Sequence, residues 1–293
     1  MSLSVDTMRT IDHRVGVPLC AVFTPVVWLM DKIIGLFLGK PATPRKVLFI
    51  ELSEMGSAII VDPAMRDTQA RGAEIFFLIF KSNRASLSLL NTVPPQNVFT
   101  IDSSSVMRMA FDTLKFLLWS RARNIDTVID LELFSRFTAL LTGLSGARRR
   151  VGYHIFHGEG LWRGNMLTHK VHYNPHIHIA KNFLSLIHAA FSSAQETPFS
   201  KIHIPDSAIS IAQAVIDPQV RLTVLERIEQ LAAKAQHPFN LGEQPLFLVN
   251  PNASELLVQR RWAPERFSAL IVELQRKWPD SLILLTGSPA ELR

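Results

Sequence analysis

Three short stretches of the chain hold residue types and spacings that can do chemistry. The first is Ser53-Glu54-Met55-Gly56-Ser57, which follows the apolar run Lys46–Leu52 and precedes a helical pattern. A turn of this kind sits at the carboxyl end of a strand, where open α/β sheets bind ligands. Gly56 lets the backbone come close to a substrate, and the helix start offers unpaired N–H groups to anionic oxygens. Glu51, Glu54 and Asp62 supply carboxylates nearby. The second stretch puts Asp130 and Glu132 at a strand end and Arg136 at the start of a helix. These can hold hydroxyl or phosphate groups, or equally form an ion pair within the domain. The third runs from the turn Asn252-Ala253-Ser254, suited to phosphate oxygens, to the basic pair Arg260-Arg261. That pair can neutralise an anionic group, although two arginines on a solvated turn are the plainer alternative.

Other chemistry is less well supported. Seven of the ten histidines fall at positions 154, 157, 169, 172, 176, 178 and 188, but no Cys or carboxylate is spaced to complete a metal site. We therefore expect no metal. Arg148–Arg150 lacks the aromatic interleaving of a nucleic-acid surface, so no nucleic-acid partner is expected. The single cysteine, Cys20, excludes a disulfide framework.

The elements that must position these residues alternate. Short apolar runs at Lys46–Leu52, Glu74–Phe80, Asn97–Ile101, Thr127–Leu131 and Arg149–Tyr153 read as strands. Helical patterns at about 58–70, 106–123 and 134–144 separate them. Continuous apolar strands between helices argue for an α/β fold with a parallel sheet covered on both faces. Asn174-Pro175 reads as a helix start, with the helix running to about Ala190. Residues 206–241 form a passage with a helix at about 220–236. The alternation then restarts with strands at 245–250 and 281–286 around a helix at 264–277.

The chain has 293 residues, a net charge of +6 and 47% apolar residues, enough for a sizeable core and a balance that suits an anionic partner. Residues 1–44 stand apart. Val15–Met30 carries no charge, Asp31-Lys32 interrupts it, and Ile33–Gly39 resumes it. The run is shorter than the ~20 residues of a spanning helix, and Pro18 and Pro25 weaken a straight one. Arg9, Arg14, Lys32, Lys40, Arg45 and Lys46 flank it. The expectation is a leader that lies on an anionic membrane surface without crossing it.

Three stretches, in this order, resemble glycosyltransferase family 9, the ADP-heptose:lipopolysaccharide heptosyltransferase group. They are Arg45–Pro63 (RKVLFIELSEMGSAIIVDP), Asp126–Gly152 (DTVIDLELFSRFTALLTGLSGARRRVG) and Phe247–Phe267 (FLVNPNASELLVQRRWAPERF). The resemblance implies a GT-B fold of two Rossmann-like parallel-sheet domains. Residues 45–205 would form the acceptor domain and 242–293 the start of a nucleotide-sugar domain that is incomplete here. It also implies transfer of a sugar, heptose in this family, from ADP-heptose or a similar donor to a lipid-anchored lipopolysaccharide-core-type saccharide, with inversion and without metal or cofactor. The enzyme would be cytoplasmic and peripheral on the inner face of the membrane. The rival reading is a catalytically silent member that binds glycolipid or acts as a scaffold in envelope assembly.

Residue roles carry over in part. Gly56 and Ser57 match the family's substrate loop, but Ser57 stands where most members have the Asp taken as general base. A serine cannot act as base at neutral pH without a partner of its own, so Glu54 is the leading substitute, with helix capping as its bland alternative. Asn252, Ala253, Ser254 and Arg261 match the donor side, and Arg260 falls where the family has Lys. It would stabilise the departing diphosphate. Asp130 and Arg136 could bind acceptor hydroxyls or phosphate, with an ion pair inside the domain as the equal alternative. The histidines beside Arg163 and Lys170 would contact anionic acceptor groups, since this region looks like the family's acceptor side. Trp262 reads as a packing residue.

Overall fold

The computed structural model describes the chain except for residues 1–4, 40–41, 53–54, 156–160, 193–201, 215, 252–260 and 288–293, and gives only the backbone of Val5 and Asp6. The chain divides into two compact units, Met1–Val215 and Ile216–Arg293.

The first unit opens with α1 (Val5–Arg14) and α2 (Gly16–Leu38). It continues with β1 (Lys46–Ile50), α3 (Met55–Ile60), α4 (Asp62–Ala70), β2 (Glu74–Phe80), α5 (Ala85–Leu90) and β3 (Val98–Ile101). Next come α6 (Val106–Ala122), β4 (Thr127–Asp130), α7 (Arg136–Leu144), β5 (Arg149–Tyr153), β6 (His169–Val171) and α8 (Ile179–Phe191). The six strands form one sheet in the order β3-β2-β1-β4-β5-β6, and every pairing is parallel. Strand order therefore reverses between β1 and β4, and the crevice for a ligand opens at their carboxyl ends.

Pleating sorts the strand residues between two cores. Val47, Phe49, Ile75, Phe77, Ile129 and Val151 face α4 and α8. Leu48, Ile50, Phe76, Leu78 and Val128 face α6 and α7 through Phe116 and Leu141. Both sheet faces are apolar, so the strands read as unbroken apolar runs.

Three departures from the expected elements have local causes. The helical pattern at 58–70 breaks at Val61 into α3 and α4. Asn174-Pro175 does not start a helix. Asn174 Oδ1 accepts from the His176 N–H (2.9 Å), while the Asn182 amide holds both the N–H and the C=O of Asn174 (2.9 Å each). The signal closes a turn docked on α8, and the helix begins at Ile179, where the His178 ring accepts from the Ala180 N–H. Residues 206–214, expected as interdomain passage, pack on the first unit. Ala212 N–H donates to Asp62 Oδ2 (3.0 Å), Arg66 reaches the Ser210 carbonyl, and Lys181 pairs with Asp206 (2.6 Å).

The N-terminal leader is a packed part of the fold. α2 runs unbroken through Pro18, Pro25 and the Asp31-Lys32 pair. Pro18 lies in its first turn, where a missing N–H costs no helical bond. Gly16, Cys20 and Val27 form a narrow inner stripe against Ala139 and Leu140 of α7 and against Met166. A Cβ on Gly16 would lie 2.9 Å from Arg136 Cβ, and one on Gly164, at φ +76°, would lie 2.8 Å from Thr24 Oγ1. Two ion pairs bracket α2: Asp12 with Arg136 (3.1 Å), and Asp31 with Arg150. Asp12 Oδ1 also accepts from the N–H groups of Arg136 (2.8 Å) and Phe137 (3.0 Å), so a carboxylate from α1 caps α7.

The second unit contains α9 (Pro218–Lys234), β7 (Leu246–Val249), α10 (Pro264–Lys277) and β8 (Leu282–Leu285). β7 and β8 pair in parallel, and Asp217 caps α9 by accepting from the Gln219 N–H. Its strands leave Leu248 and Leu285 exposed.

Replacing Asp12 by Ala removes the partner of a buried guanidinium together with the cap of α7. We expect a loss of about 3–5 kcal/mol in denaturant unfolding. Asp12→Asn, which keeps an acceptor for the cap, is expected to lose less.

Candidate functional site

The carboxyl ends of β1 and β4 carry the loops in which the sequence placed its candidates within the first unit. The β1 end is tied down from both sides. Leu52 N–H donates to Glu132 Oε1 (3.1 Å), and Asn83 Nδ2 donates to the Leu52 carbonyl (2.8 Å). A side chain from the β4 loop thereby sets where the β1 loop starts. Beyond it, Gly56 is exposed, and a Cβ added there would meet nothing within 4 Å. Ser57, the next residue of α3, is buried. Glu54 lies outside the described residues, as do Asn252, Ala253, Ser254 and Arg260. Arg261 is exposed in the second unit. Trp262 packs edge-on against Phe267, with ring centroids 5.2 Å apart.

Asp130 and Arg136 are committed to ion pairs inside the domain. Asp130 is fully buried and paired with Arg163, and Thr138 Oγ1 and the Glu132 N–H also donate to it (3.4 and 3.2 Å). Burial pushes its carboxyl up to about 6, with the Arg163 guanidinium pulling the other way. Arg163, expected on the acceptor side, spends its remaining donors on the carbonyls of Ser135 (2.7 Å) and Glu132 and on Thr138 Oγ1 (2.8 Å). Arg136 is held by Asp12 and by the Trp162 carbonyl (2.9 Å). These side chains build the wall of the crevice from beneath. Asp62, another carboxylate near the first loop, is also buried, where it takes Arg66 (2.9 Å) and Thr92.

Two residues that the sequence reading passed over stand at strand ends on the other sheet face. Tyr153 ends β5, and Tyr173 lies just past β6 and meets it edge-on at 5.3 Å. Tyr153 is buried, and among the described residues its hydroxyl has no hydrogen-bond partner. Burial, then the neighbouring Tyr173, Glu51 and Asp130, drive that hydroxyl well above its usual range. Their strand-end position was the available signal.

The histidines do not gather. Among the described residues no group of three or more His, Cys, Asp and Glu is placed to hold a metal ion. His169 belongs instead to the β5–β6 seam. Arg149 Nη1 lies 3.2 Å from its Nε2, which makes that nitrogen an acceptor and puts the proton on Nδ1, 2.9 Å from Thr168 Oγ1. Burial, helped by Arg149 and Arg150, lowers this imidazole to about 4.

A doubly wound parallel sheet with loops converging at its switch point, followed by a second β-α-β unit, defines the class: a GT-B-type α/β protein. Among solved structures, the glycosyl transferase family 9 protein from Veillonella parvula DSM 2008 is similar, with a TM-score of 0.56 and 14% identity over 85% of this chain and 64% of that one. E. coli ADP-heptose lps heptosyltransferase II gives 0.58 and 18% over 84% and 65%. E. coli heptosyltransferase WaaC with ADP gives 0.53 and 20% over 84% and 69%. The chain thus spans less than two thirds of the length of the first two, and the likeness is one of fold. No protein-family model matches the sequence, and no curated protein matches it.

Two outcomes are expected here. Arg163→Met leaves a buried carboxylate unpaired and costs about 3–5 kcal/mol in denaturant unfolding, whereas Arg163→Met with Asp130→Leu recovers most of that loss. Because the folded pKa of His169 lies below the unfolded value of 6.5, its contribution is complete above pH 6.5 and is lost as pH falls toward about 4. Burial also lowers His154 and His188, so His169→Gln should flatten the acid slope of a stability–pH profile without abolishing it.

Proposed function

We propose that the chain is a glycosyltransferase that moves a sugar from a nucleotide-sugar donor, of the ADP-heptose class, to a lipid-anchored anionic saccharide. The observation that supports the reading best is the Ser-x-x-Gly loop at the carboxyl end of β1, beside the β1/β4 switch point, in a fold like that of the heptosyltransferases. In this reading an acceptor hydroxyl oxygen attacks the anomeric carbon from the side opposite the diphosphate. The new C–O bond forms as the old one breaks, and the configuration inverts. Glu54 takes the hydroxyl proton, while Arg260 and Arg261, with the turn at Asn252, Ala253 and Ser254, neutralise the departing diphosphate. No step calls on a metal. Gly56 leaves room for the acceptor, and Asp130 and Arg136 position the loop from below.

The second reading, a glycolipid-binding protein without transferase activity, draws on Ser57. It replaces the family's Asp, and its side chain is buried in α3.

Incubating full-length protein with ADP-heptose and a delipidated core acceptor separates the two readings, because transfer product is expected only under the first. If Glu54 is the base, Glu54→Gln lowers turnover by about 10²–10⁴-fold with little change in donor KM. Unchanged turnover eliminates Glu54 from that role.

A further inference from the structure

We infer that α2 and α6 together form a docking face for an anionic lipid bilayer, with α2 lying in the plane of the surface. The inner stripe of α2 is used up on α7. Its outer stripe, Leu19, Val22, Val26, Leu29, Ile33 and Leu36, advances by alternating steps of three and four residues and is exposed throughout, to 82% at Leu36. α6 repeats the pattern with Met107, Phe111, Leu114 and Leu118, exposed by 59–81%. The two helices stand on the same side of the sheet. α6 covers the face that carries Val128, and Arg150, which holds Asp31 of α2, is the cross-strand partner of Val128. Exposed apolar stripes on this scale mark an interaction surface.

The ion pairs decide the orientation. By length and composition α2 could cross a bilayer, with a mean hydropathy of 1.7. To do so it would have to leave α7 and strip Asp12 from Arg136 and Asp31 from Arg150, two side chains that are almost wholly buried. Stranding buried charges is strongly unfavourable. With the clamps closed, only the outer face can meet lipid.

Charge selects the occupant. The described carboxylates of α1 and α2, Asp12 and Asp31, are drawn into those pairs, while Arg9, Arg14 and Lys32 are exposed. Lys32 lies 5.7 Å from the ring of the exposed Trp28, and Lys115 lies 4.3 Å from that of Phe111. Apolar stripes edged by Trp and Lys match a headgroup boundary. A second copy of the chain would bring like charges together across a two-fold axis.

The test uses the full-length protein, without donor or acceptor, and vesicles of phosphatidylcholine with or without phosphatidylglycerol. Failure here leaves the transferase reading standing. Binding is expected to require the anionic lipid. It should drop about tenfold or more in Leu29→Glu/Ile33→Glu and in Phe111→Glu/Leu118→Glu, with melting temperatures unchanged because these side chains are exposed. Arg14→Gln and Lys32→Gln should each lower it about fivefold. In the unmutated protein, the emission lost in Trp28→Phe should be quenched more by lipids brominated near the headgroup than by those brominated near the chain end. Unchanged binding by the Glu variants overturns the proposal, as does retention in alkaline carbonate or the reverse quenching order. So does self-association that the Glu variants abolish, in a protein that ignores vesicles.

Discussion

Burial of charge around the turn between β4 and α7 is the constraint from which much of the first unit follows. Two guanidinium groups, Arg136 and Arg163, and one carboxylate, Asp130, lie almost wholly out of water there. A buried charge without a partner costs several kcal/mol, whereas a helix cap or a surface pair contributes about one. The segments that carry the partners must therefore converge. Asp12 brings α1 to the start of α7, and Asp130 at the end of β4 takes Arg163 from the chain ahead of β6. The carboxyl edge of the sheet, where a ligand would enter, is thus underlain by paired charges.

The same convergence explains the odd character of α2. A helix apolar on all sides would ordinarily be buried in a core or inserted in lipid. Here its ends are clamped and its small inner residues set its distance from α7, which in turn is covered on every side. The outer stripe is left facing away from the fold. α2 is thus a third helix beside α6 and α7 on one sheet face, and the apolar surface it displays is a consequence of where Asp12 and Asp31 are bound.

At the switch point, framework and chemistry separate. Glu132 and Asn83 fix the entry to the first loop by holding the two backbone groups of Leu52. Gly56 leaves open space at its far side, and Ser57 beside it is buried. The start of the first loop is thus positioned by framework side chains.

How much was legible follows the range of the forces involved. Apolar runs and helical periodicity are local, and they placed most of the strands and the longer helices, as well as the loops at the ends of β1 and β4, but not the short α1 and α5. The resemblance in three stretches pointed to the fold that the structural likeness bears out. Charged residues were read less well. Asp130, Arg136 and Arg163 looked like ligand-binding groups because a carboxylate or guanidinium near a strand end has the right chemistry for that use. Their partners lie 33 residues away for Asp130 and 124 for Arg136, distances that no local pattern encodes. Asn174-Pro175 failed for the same reason, since Asn182 outbid the helix for its backbone groups. The amino-acid sequence by itself determined the alternation of elements and the positions of the candidate loops, because both depend on near neighbours. Only the tertiary structure decided which charges are spent on the fold and which face of α2 is left over, because pairing a buried charge depends on segments that meet only when the chain is folded.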